Sequence, residues 1–254
     1  MLPGREDTYS ITLRDGLIAD IAPAARSGPS QWLALPAFAN LHAHADRSFT
    51  VTSFRPSSFS DALAASAKAR TAFTSTDVER RATLLLERSL AHGVTRVRTH
   101  TDVDPVVGMI SMEGVLAAKA AMAGRIDVDV IAFSTSRNDL PQPDAVSRLK
   151  DAIDRKPDFL GLSINSAADP RKALEVLLDL AEKNGLPVDL HIDEHLLADQ
   201  IVAPMAVKVI AARNFGRHVT FSHLCALATL EPTEQAGCAR VPAPAGCEEG
   251  PPAV

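Results

Sequence analysis

Short apolar runs alternate along this chain with longer amphipathic stretches, and their spacing is regular. Strand-like runs stand at Val94–Thr99, Val128–Phe133, Phe159–Ile164, Val188–Ile192 and Val219–Ser222, with a first one near Phe38–Leu41. They recur roughly every 30 residues, the length of one strand–helix unit. The stretches between them carry helix signals. Thr76 and Glu79 read as a capping box ahead of an apolar-periodic run that stops at Gly93. Asp169 suits an N-cap with Pro170 in the first turn, and Gly185 suits the end of that helix. Met205 to Asn214 continues the pattern. Strands and helices in alternation predict a parallel α/β sheet. The expected architecture is a TIM-type (β/α)8 barrel, incomplete, with about six βα units where a closed barrel needs eight.

Both ends of the chain break the pattern. Ile11 to Ile21 holds two short apolar runs around Asp15-Gly16, a hairpin signal. A polar Ser/Gly/Pro patch, Arg26 to Ser30, follows. From Glu231 onward the sequence is rich in Pro, Gly, Ala and Glu and has no strand or helix period. The expected division is therefore an N-terminal β segment over 1–35, the partial barrel over 36–230, and a disordered or aberrant tail over 231–254.

Composition narrows the picture. The 254 residues are 46% hydrophobic, enough for one substantial core. A net charge of -5 with scattered basic residues gives no reason to expect nucleic acid or an anionic membrane as partner. No stretch approaches the ~18 apolar residues of a membrane span, and Met1 to Ser10 shows no apolar targeting core. Cys225, Cys238 and Cys247 form no CxxC pair, which points to a reducing, cytoplasmic setting. The expected partner is a small molecule, with a homo-oligomer left open.

The candidate chemistry lies at the strand ends. His42 and His44 are two residues apart, so on a strand both imidazoles face the same side. At the C-terminal end of a barrel strand that side is the mouth, where active sites lie. Imidazole pairs of this kind bind first-row metals; a pair of ordinary loop histidines is the alternative. His191 ends the fifth barrel strand and offers a third ligand, with Glu194 just beyond it as a general acid/base. Alternatively, Asp193 and Glu194 merely complement a helix dipole. His223, at the end of the sixth, suits a metal, a water or a substrate contact, or a structural role. In Arg96 to Asp104, His100 and Asp102 alternate in phase. They lie either behind the ligands and against the substrate, or in a buried polar network. Three histidine clusters fall at the C-terminal ends of the first, fifth and sixth strands.

These motifs carry a resemblance. LPAFANLHAHAD resembles the first-strand motif of the amidohydrolase superfamily, and RVRTHTDVD is similar to the second-strand segment of cytosine deaminases. DLHIDEH and VTFSHL resemble their fifth- and sixth-strand motifs, and ITLRDGLIADIAP the opening of their small β-domain. The resemblance implies a hydrolase of non-peptide C–N bonds that deaminates a cytosine-like heterocycle through a metal-activated water. It implies one divalent ion, Fe2+ or Zn2+, on His42, His44 and His191, with Glu194 shuttling protons and His223 orienting the reacting centre. The run Phe159–Asn165 holds no Lys, which favours a mononuclear site. The family's Gln after the third strand has no counterpart in Phe133 to Arg137, where Thr135 stands instead for substrate contact or for support behind the ligands. An N-substituted cyclic amide or amidine is then an alternative substrate. The family's eighth-strand Asp has no counterpart either, since the last Asp is Asp199. The expectation is a chain ending before that strand, with an inactive truncated remnant as the alternative to an active enzyme.

Overall fold

A computed structural model describes residues 8–24, 32–50, 57–135 and 139–239. The chain divides into two compact units, with the boundary between Phe38 and Ala39. The first holds a hairpin of β1 (Tyr9–Arg14) and β2 (Leu17–Pro23), paired antiparallel. Its two-residue turn is Asp15-Gly16, with φ values of 52° and 77°. Positive φ at both positions is what a two-residue hairpin turn with the right twist requires, and Asp-Gly supplies it cheaply.

The second unit is built from strand–helix repeats. In chain order they are β3 (Phe38–Ala43), α1 (Phe59–Arg70), α2 (Ser75–Ala91), β4 (Val94–Val103), α3 (Ile110–Ala121), β5 (Asp127–Ser134), α4 (Pro143–Ile153), β6 (Phe159–Ser163), α5 (Pro170–Asn184), β7 (Val188–Ile192), α6 (Ala203–Arg213), β8 (Val219–His223) and α7 (Pro232–Ala239). The six strands β3 to β8 lie in sequence order in one sheet, with β4 to β8 joined in parallel. This is an incomplete TIM-type barrel, and each strand expected from the apolar runs is present. All five residues of the inner strand β7 are buried, whereas β3 and β8 are largely half-buried or exposed. That gradient is what a sheet with unpaired outer strands produces. No described helix is long and apolar enough to cross a membrane.

The helix ends follow the local chemistry, with one shift. Asp169 caps α5, its Oδ1 accepting from Lys172 N at 3.0 Å, and Gly185 closes the helix at φ 68°. For α2 the cap is Thr74, not Thr76: its Oγ1 accepts from Asp77 N at 3.2 Å. Thr74 is extended, so it can cap, while Thr76 already lies inside the first turn. α1 was not among the helices singled out by the pattern; Ser58 caps it by accepting from Asp61 N at 3.1 Å. Composition gave no regular structure after Glu231, yet Pro232–Ala239 is helical. Pro232 suits a first helical position, and Glu234 reaches back to accept from Glu231 N at 3.2 Å, half of a capping box. Residues 240–254 lie outside the described residues.

The core sits on the sheet. Val130, Leu160 and Leu162 from the strands share one core cluster with Leu86, Met112, Leu174 and Leu177 from the helices, all buried. Gly161 is the tightest point in β6: a Cβ there would lie 2.7 Å from Ile131 Cγ2 and 3.0 Å from both Asp189 O and Phe133 Cδ2. Gly161→Ala is therefore expected to destabilise the barrel by about 1–3 kcal/mol through overpacking. Denaturant unfolding of the variant beside the parent measures this.

Candidate metal centre

The strand ends bring four imidazoles together. His42, in β3, and His44, just past its end, turn toward the same cluster, as their spacing of two predicts. His191 comes from the end of β7, and His100 from within the second half of β4. One nitrogen from each of the four lies within 4.8 Å of the others, an arrangement that could hold a metal ion. His44 Nε2 and His191 Nε2 are 3.2 Å apart. Ligand atoms of a tetrahedral site with bonds of about 2.0–2.1 Å stand roughly 3.4 Å apart, so this pair already has ligand spacing.

Burial favours the neutral form of His42, His44 and His191. His42 is pushed down to about 4 by burial, then by the facing His100 and His223. His44 is held well below the usual histidine range by burial and by Arg47, and His191 is lowered by burial and by His100. A neutral imidazole is the form that binds metal. The Nδ1 atoms of His100 and His191 are buried without a hydrogen-bond partner among the described residues. A divalent ion fits this donor set.

A second layer fixes the rings. Asp189, two residues before His191 and in phase with it, accepts from His100 Nε2 at 3.1 Å and from Ser222 Oγ at 2.7 Å. Although burial works against its charge, the hydrogen bond from His100 and the charge of Arg98 hold its carboxyl below the usual range. Phe133 closes one flank, its ring centroid 4.4 Å from that of His191 and 5.3 Å from that of His100.

A charge network braces the mouth. Arg47 Nη2 lies 2.5 Å from His44 Nδ1 and 3.3 Å from Asp102 Oδ1. Arg70, from the end of α1, pairs with Asp102 at 3.0 Å and with Asp104. Asp102 also donates its backbone N–H to Asp46 Oδ2 at 3.1 Å. Burial and the nearby Asp46 push the Asp102 carboxyl above the usual range. Asp102 thus lies in a buried polar network that reaches His44 through Arg47, and its carboxylate groups with His44 and Asp46 within 4.8 Å. Thr135 is committed to the same network, its Oγ1 donating to Asp104 Oδ2 at 2.9 Å.

Glu194 and His223 face each other at the rim, with Oε2 3.6 Å from Nε2. Glu194 follows a left-handed residue, Asp193 at φ 55°, and His223 is itself left-handed at φ 81°. Local bonds hold these conformations, Leu224 N donating to Ile192 O at 3.0 Å and Ala226 N to Asp193 O at 3.0 Å. Asn165 clamps Asp193 from the end of β6, accepting from its N–H at 2.6 Å and donating to its Oδ1 at 2.9 Å. A cleft of about 690 Å³ opens beside the cluster, lined among others by His44, Arg47, Phe133, Thr135, Asn165, His191 and Glu194.

Sequence reasoning did not single out Asp189, Ser222, Arg47, Arg70 or Asn165. Asp189 carried a usable signal, its phase with His191, and Ser222 adjoins His223. Arg70 meets Asp102 and Asp104, 32 and 34 positions away, and Arg47 meets Asp102 55 positions away, and no local pattern announces such pairs.

The depressed histidines set a pH dependence for the metal-free protein. Unfolded imidazoles take up protons near pH 6.5, whereas folded His42 does so only near 4. Stability is therefore full above 6.5 and falls as the pH drops from there toward 4, because the unfolded state binds the extra protons. Thermal melts in chelator between about pH 7.5 and 4.5 are expected to show this loss, with a shallower dependence in His42→Ala.

Among known proteins, no family model matches the chain. It is 28% identical over 229 residues to the pterin deaminase of Rhizobium rhizogenes, covering 86% of this chain and 52% of that protein. It is 28% identical over 205 residues to the N-isopropylammelide isopropyl amidohydrolase of a Pseudomonas species, covering 75% of this chain and 49% of that protein. The chain thus spans about half the length of the curated relatives it matches. Among solved structures, the 5-methylcytosine deaminase of Klebsiella pneumoniae liganded with 5-fluorocytosine superposes with a TM-score of 0.82 at 24% identity, covering 94% of this chain and 61% of that one. The resemblance carried by the four strand-end motifs holds: in sequence and in fold, this chain is similar to the deaminases and amidohydrolases of the amidohydrolase superfamily.

Proposed function

We propose that the protein is a metal-dependent hydrolase of C–N bonds that removes an amino group from a heterocycle. The observation that carries this reading is the convergence of His42, His44 and His191 beside the cleft, with the Glu194–His223 pair at its rim. His42, His44 and His191 would hold one iron or zinc ion, whose Lewis acidity makes water a usable nucleophile at neutral pH.

The remaining work falls to the protein's own groups. Glu194 is exposed at the cleft, so its carboxylate can take a proton there and return it to a ring nitrogen and then to the departing amine. His223, 3.6 Å from Glu194, orients the reacting carbon and steadies the carboxylate's position. Arg47 supports the His44 ring from the mouth, and the Asn165 clamp fixes the backbone on which Glu194 stands. Burial of the cluster excludes bulk water, which strengthens each charge interaction inside.

The substrate class follows from the chemistry of the cleft and from the relatives, which are named for pterin and ammelide compounds. Polar, uncharged side chains such as Ser163, Asn165 and Gln200 line the cleft, suited to the edge of a heterocycle. An N-substituted cyclic amide is the second reading, favoured because the third strand offers no amide side chain and Thr135 is already bonded to Asp104. The exposed thiol of Cys225 suits a reducing, cytoplasmic setting.

Release of ammonia or amine from cytosine, 5-methylcytosine, pterin and N-isopropylammelide tests the proposal, using the metal-loaded protein. Glu194→Gln is expected to lower kcat by roughly 10²–10⁴-fold while metal content stays unchanged. Equal rates in parent and variant on every compound would contradict it.

A further inference from the structure

We propose that α1 sets the size of substrate the cleft accepts, its small side chains making room for a planar, uncharged heterocycle of two fused rings. This rests on the reading that the cleft beside the imidazoles is the reaction site.

The cleft of about 690 Å³ lies within the roughly 300–1,000 Å³ of sites that enclose drug-sized ligands, and a single six-membered ring fills only part of it. Part of the room comes from α1. Ala64, Ala67 and Arg70 stand three apart, so they share one face of the helix, and together with Ser66 they line the cleft. Helix formation does not require such small residues, because leucine, methionine, lysine and glutamate are nearly as favourable as alanine. Close packing does not require them either: Ala64 is exposed, and Ser66 and Ala67 are half-buried. What their small size does is keep the cleft open.

Charge and polarity narrow the ligand further. Arg47 and Arg70, the two guanidinium groups of the lining, are already paired, Arg47 with Asp102 at 3.3 Å and Arg70 with Asp102 at 3.0 Å and with Asp104. Neither is left free to ask for an anionic ligand. Phe133 adds an aromatic ring to the lining, and Ser163, Ser166 and Gln200 add hydrogen-bonding groups suited to a heterocycle's edge. A flat, neutral two-ring molecule with amino and carbonyl groups meets both kinds of surface.

Titration calorimetry of the protein incubated with zinc, using pterin as the two-ring probe and cytosine as the one-ring probe, tests this, with ammonia release read on the same samples. The parent is expected to bind pterin at least about tenfold more tightly than cytosine. Ala64→Leu and Ala67→Leu each put a branched side chain on the wall, and each is expected to lower the ratio of pterin to cytosine affinity by at least about tenfold. Circular dichroism checks that the variants are folded, and the exposure of Ala64 makes the first of them the safer one. A parent that binds cytosine as tightly as pterin, or folded variants that keep the parent's ratio, would overturn the part given to α1 and leave the hydrolase reading standing. The expected binding pattern without ammonia release from either compound would support the part given to α1 and count against the deaminase reading beneath it. Binding of neither compound would overturn both.

Discussion

The structure turns on one constraint: four imidazoles are packed against one another at the end of a buried sheet, where a positive charge is costly. Burial and mutual proximity push His42, His44 and His191 toward their neutral forms. In a core without further purpose such a cluster is unfavourable, since it buries polar nitrogens that lack partners. A divalent ion removes the conflict, because it uses the lone pairs that neutrality provides. The metal reading is thus grounded in the electrostatics of this chain as well as in the resemblance of its motifs.

The surrounding groups make sense as supports for that cluster. Asp189 and Ser222 hold His100 from within the sheet, while Arg47 holds His44 from the mouth. Arg47 and Arg70 share Asp102, and Arg70 adds Asp104, so the buried carboxylates of β4 are paired rather than stranded. α1 delivers Arg70 to this network and lines the cleft with Ala64, Ser66 and Ala67. The Asn165 clamp has a comparable part on the other flank, tying the end of β6 to the turn that carries Glu194. Function and stability therefore draw on the same residues, and a change at the mouth is expected to disturb both.

The repeating frame was legible because a strand buried on both faces reads as a short apolar run, and β5, β6 and β7 are of that kind. The phase rule of a strand likewise made the joint orientation of His42 and His44 legible. The same rule applied to Asp189 and His191 would have disclosed the carboxylate behind His100. What stayed hidden is what distant parts of the chain decide. Whether His100 joins the imidazoles while Asp102 turns to Arg47 and Arg70 depends on α1 and on the loop after β3, not on the local sequence RTHTD. The cap of α2 shows the smaller version of this problem: Thr74 and Thr76 are equally good residue types, and only the backbone path selects Thr74. Composition misled at Pro232–Ala239, where one proline and one glutamate suffice to start a helix.

The central claim is that this chain builds a metal centre at the end of its sheet. Elemental analysis of the purified protein beside a His42→Ala/His44→Ala double variant tests it most directly. The account expects about one iron or zinc per chain in the parent, as a mononuclear site requires, and its loss in the double variant. A parent without metal, or a variant that retains it, would contradict the account.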